Sequence, residues 1–95
     1  MVAKHRGKKI PPKGEILVER TQTGVRMEKR LLKVLKALAD YLDLSLGDLL
    51  EGIVLHAFDG KCAFGKENLH LIGELKRIYG LQLNASASHR LKERS

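Results

Sequence analysis

The sequence predicts a mainly α-helical chain led by one N-terminal β-strand, and three observations predict it. Leucines at 31, 35, 38 and 42 recur at three- and four-residue spacings, the period of a helix with one apolar face. After the short break Asp43-Leu44-Ser45, a serine with an aspartate three residues on opens a second apolar run. Upstream, Ile16, Val18, Thr21, Thr23 and Val25 give 15–27 the β-branched content of a strand.

Residues 1–14 read as a flexible basic arm. Lys4, Arg6, Lys8, Lys9 and Lys13 sit among Gly7, Gly14 and the Pro11-Pro12 pair, and such a stretch has no apolar surface to bury. The core is expected over 15–60. In a strand, Thr23, Val25 and Met27 point one way and Gln22, Gly24 and Arg26 the other, so the apolar set would cover the helices. A lone strand leaves backbone donors and acceptors unpaired on both edges. Pairing it antiparallel with its own copy across a two-fold axis satisfies one edge, which makes a homodimer the expected unit. The residues leave an alternative open, because Thr21-Gln22-Thr23-Gly24 also fits a hairpin turn joining Ile16-Leu17-Val18 to Val25-Arg26-Met27.

The first helix follows from Glu28, with Lys29, Lys33, Lys36 and Asp40 between its leucines. The second begins at Ser45 and offers Leu46, Leu49, Leu50, Ile53, Val54, Ala57 and Phe58 as its buried stripe. Asp59-Gly60 ends it, glycine supplying the left-handed exit. A helical extension is expected over 61–83, its helix running from about Glu67 to Tyr79 with Leu69, Ile72, Leu75 and Ile78 on one face and Gly80 as its stop. The polar stretch 84–95 reads as a mobile tail.

With 95 residues, the chain suits one small domain with a thin core, which dimerisation would thicken. A net charge of +7, from 18 Lys+Arg against 11 Asp+Glu, suits a polyanionic partner, because each phosphate neutralised releases condensed counterions. Aromatics make up only 4% and Trp is missing, which argues against a base-stacking platform for single strands. The lone cysteine, Cys62, allows no intramolecular disulfide and suits a reducing compartment. No apolar stretch follows the charged N-terminus, and no run approaches the roughly 20 apolar residues of a membrane span, so a cytoplasmic protein is expected.

The stretch Val25-Arg26-Met27-Glu28-Lys29-Arg30-Leu31-Leu32, with Leu35, Leu38-Ala39 and Ser45 opening the second helix, resembles the ribbon-helix-helix family of DNA-binding proteins (Arc and methionine repressor type). The resemblance covers about 21–58, under half the chain. It implies a homodimer whose paired strands enter the major groove of duplex DNA, and a role in repressing transcription. It also implies that the outward strand positions, Gln22, Gly24 and Arg26, contact bases. Arg can hold guanine and Gln adenine, while Gly24 departs from the pattern by offering no side chain. Phosphates would be anchored at the start of the second helix, by the Ser45 cap and the backbone N–H groups of Leu46 and Gly47. The Asp48 carboxylate opposes that anchoring. Lys29, Arg30 and Lys33 would touch the DNA backbone, and the basic arm would add affinity and salt dependence more than specificity.

Other chemistry finds less support. His56, Cys62 and His70 match no zinc spacing and lack a fourth ligand, so no metal or cofactor is expected. Nothing orients Cys62 with a histidine for nucleophilic catalysis. Gly60-Lys61 and Gly65-Lys66 lack the wider glycine spacing and the Ser/Thr of a phosphate loop, so an enzyme is not expected. The competing reading is a protein-interaction module, such as an antitoxin whose C-terminal helix binds a partner protein. Charge alone does not separate DNA from RNA.

Overall fold

Glu28 starts the first helix by accepting a hydrogen bond on its side chain from the Leu31 backbone N–H at 2.7 Å. In the computed structural model, which describes residues 14–94, three helices follow: α1 (Lys29–Leu42), α2 (Leu46–Phe58) and α3 (Lys66–Tyr79). The expected arm residues Lys4, Arg6, Lys8, Lys9 and Lys13 lie outside the described residues. Ser45 caps α2, its hydroxyl accepting from the Asp48 N–H at 3.1 Å.

All three helices end by the same device. A residue near the end takes a left-handed conformation (Asp43 φ 61, Gly60 φ 69, Gly80 φ 70). The N–H of the next residue then reaches back five positions: Leu44 to the Ala39 carbonyl, Lys61 to that of His56 and Leu81 to that of Lys76. These bonds satisfy carbonyls that a helix end would leave orphaned. Aspartate tolerates the left-handed region better than most side chains, so Asp43 can stand where the other two ends use glycine.

The left-handed turns decide where the chain goes next. Leu44 and Leu81, each just past a helix end, are directed back into the interior, and Leu81 is buried. α1 is the hub, with α3 packed along it more extensively than α2. Leu38, Ala39 and Leu49 form the centre, flanked by half-buried Leu35, Leu42, Ile53, Phe64, Leu71, Ile72 and Leu75. Beyond α3 the chain makes a 3-10 turn at Ala85–Ala87 and returns across α1. There Leu83, Ala85 and Leu91 help to line an apolar cleft of about 360 Å³ whose floor includes Val34 and Leu38.

The helical part of the expected architecture is present, but the ribbon-helix-helix fold class is not. No strand forms among the described residues; 15–28 has no regular secondary structure. Within the chain, no backbone hydrogen bond joins 15–27 to another segment among the described residues, so the stretch runs as irregular chain. The hairpin alternative fails on the same observation. The apolar alternation also does not cover the helices, since Val25 stays 73% exposed and Ile16, Leu17 and Val18 are exposed as well.

A second correction concerns α2. Of its expected buried stripe only Leu49 is buried; Val54, Ala57 and Phe58 are exposed, as is Leu55. α1 presents one face of limited width, most of it taken by α3, so much of the apolar surface of α2 is left uncovered by the described residues.

Candidate nucleic-acid interface

Helical periodicity places Lys29, Lys33 and Lys36 on one face of α1, and all three are exposed. They span about 10 Å of helix axis at 1.5 Å per residue. The opposite face carries the buried Val34 and Leu38, so packing of the core forces the lysines outward. At the N-terminal end of this ridge, Arg26, Lys29 and Arg30 line an open groove of about 1020 Å³ together with Lys92 and Arg94 from the returning tail. The groove contains two carboxylates, Glu28 and Glu93. Glu28 is engaged as the cap of α1. Glu93 takes a forked pair from Arg26, whose Nε lies 3.2 Å from Oε1 while the second guanidinium nitrogen donates to Oε2.

Arg30 also leans toward the end of α3, its Nε within 3.9 Å of where a Cβ on Gly80 would stand. A cation near that end is favourably placed relative to the negative end of the helix dipole.

The structure gathers some of the expected contact residues and separates others. Arg26, Lys29 and Arg30 share one groove. Gln22 and Gly24 are exposed on the irregular leading segment and line no part of it. Ser45, Leu46 and Gly47 stand at the start of α2, also outside the groove, where the Ser45 hydroxyl is used as a cap. Lys92, Glu93 and Arg94 were not singled out from the sequence, because nothing local reports that the tail returns to a site 67 residues upstream.

Arg20 and Glu51 form a second pair that sequence reasoning missed. The guanidinium grips the carboxylate through two bonds of 2.7 Å each, holding the leading segment to α2. The hydrogen bond from Arg20, reinforced by its charge, holds the Glu51 carboxyl below its ordinary value, and Glu51 in turn raises Arg20. Both side chains face solvent, so the pair is a weak tether.

His56, Cys62 and His70 are engaged locally. His56 Nδ1 lies 2.7 Å from the Gly52 carbonyl, Cys62 Sγ points to the Phe64 carbonyl at 3.4 Å, and His70 neighbours Glu74 at 3.5 Å. Among the described residues no cluster of three or more His, Cys, Asp or Glu side chains is placed to hold a metal ion. No helix is long and apolar enough to cross a membrane.

Compared with known protein families, curated proteins and solved structures, the chain gives no match.

Proposed function

We propose that the protein binds duplex DNA through its phosphate backbone, as a homodimer. The observation that carries this reading is the meeting of Arg26, Lys29 and Arg30 with Lys92 and Arg94 around one open groove, continued along α1 by Lys33 and Lys36. Cations strung along a rigid helix suit a regularly charged polyanion, where each contact gains by counterion release. Base reading by a paired ribbon has no place in this proposal. Arg26, Lys29 and Arg30 contact phosphates here, and Gln22 and Gly24 have no assigned role.

The homodimer rests on the outer face of α2. Among the described residues five hydrophobic side chains are buried (Val34, Leu38, Ala39, Leu49 and Leu81), a small core for a stable domain, while Leu55 and Phe58 face solvent. A second copy packing its own α2 there would cover both faces at once. It would also carry two basic grooves in one assembly, and engagement of one duplex by both would multiply affinity by effective concentration. The antitoxin-like alternative assigns the partner-binding role to α3, where Ile72 and Leu75 of the expected stripe pack on the core with Leu71, while Leu69 and Ile78 face solvent.

The test is binding of a fluorescent duplex over a salt series from about 50 to 200 mM. The expected result is a linear fall of log affinity with log salt, with the slope reduced by about one for Lys29→Ala. Salt-independent binding, or none, would overturn the reading. Preference for an RNA duplex of equal length would reassign the partner.

A further inference from the structure

The groove is already occupied by an acid of the protein's own. Glu93 meets Arg26 with both carboxylate oxygens, the planar fork that a guanidinium equally offers to a phosphate. Of the two carboxylates in the groove, Glu28 is committed to capping α1, so Glu93 alone blocks an arginine. Its sequence neighbours Lys92 and Arg94 are cations lining the same groove. Just before them, Leu91, itself 54% exposed, lines both the groove and the apolar cleft near the start of α1.

We propose that the C-terminal tail gates the groove, with Glu93 standing in for a phosphate on Arg26 until a nucleic acid displaces it. This inference rests on the duplex-binding reading above. Displacement converts the tail from a segment that neutralises Arg26 into one that adds Lys92 and Arg94 to the phosphate-binding surface. The exchange is easy, because the Arg26 and Glu93 side chains are 82% and 65% exposed and an ion pair so open to water is weak. The gate therefore tunes affinity by a small factor instead of locking the site. Salt weakens the gate as well as duplex binding, so its effect is largest at low ionic strength.

The experiment compares duplex affinity for the full chain, Glu93→Gln, Arg26→Ala and the double variant at low and high salt. Glu67→Gln, at the exposed start of α3, controls for the change in net charge. The expected result is that Glu93→Gln tightens binding about two- to fivefold at low salt, a factor set by the modest strength of exposed pairs. That gain should exceed the gain from Glu67→Gln, shrink at high salt and vanish in the Arg26→Ala background. An equal gain in the Arg26→Ala background, or one matched by Glu67→Gln, would reduce Glu93 to general repulsion and overturn the gate. Clear salt-dependent binding by the parent with no change in Glu93→Gln would overturn the gate alone. No binding by parent or variant would overturn the gate and the duplex reading together.

Discussion

Replacing Phe58 by alanine separates what α2 does within one chain from what it does between chains. The ring is 83% exposed, so the single chain gains little from it and the helices should persist without it. Fully burying a phenylalanine is worth about 1.5–3 kcal/mol, so covering the exposed part of this ring supplies about 2 kcal/mol per copy. A two-fold interface counts each position twice, giving about 4 kcal/mol per dimer, or roughly a thousandfold in the dissociation constant. Sedimentation velocity over a concentration series would measure that constant, and far-ultraviolet circular dichroism would check helix content. The expected outcome is a parent that dimerises and a variant that stays helical but dissociates. A parent that remains monomeric at high concentration would refute the reasoning. So would a variant whose dissociation constant lies within about twofold of the parent's, far short of the loss expected from the buried ring.

Two further outcomes test the fold and the tether. Leu38 is 1% exposed at the centre of the core, so Leu38→Ala should cost about 3 kcal/mol in urea denaturation. A loss below about 1 kcal/mol would mean that the core is not packed around this residue. The Glu51 carboxyl should titrate below its ordinary value of 4.5 in carboxyl-detected NMR, and Arg20→Ala should return it toward that value. Because the folded-state value is the lower one, the stabilisation is fully present above the ordinary value and is lost as pH falls through the folded value. An unchanged Glu51 midpoint in Arg20→Ala would show that the pair does not form in solution.

The helices were legible because their determinants are local. Leucine spacing at 31, 35, 38 and 42, the serine cap at 45 and the glycine at 80 each act within one or two turns, and the chain forms helices where they indicate. β-branched content at 15–27 was read as a strand, but that content expresses only a preference. A strand also needs a partner edge, and no local signal supplies one. The buried stripe expected on α2 fails for a related reason. Its apolar pattern records that Val54, Leu55 and Phe58 favour burial, yet not which surface covers them.

The candidate groove divides along the same line. Lys29, Lys33 and Lys36 could be placed on one helix face from spacing alone, because the helix is a local structure with a fixed period. That Lys92 and Arg94 join them, that Glu93 sits on Arg26 and that Glu51 holds Arg20 depended on how the chain turns back after α3 and where its leading segment meets α2. Exposed charges carry no pattern that points across 31 or 67 residues of chain. By itself, then, the sequence determined three helices, the serine cap of α2, the glycine stops at 60 and 80 and a basic surface, because short-range hydrogen bonding and apolar periodicity set those. Only the tertiary structure decided which charges meet and which apolar face stays open, because both depend on the packing of distant segments around α1.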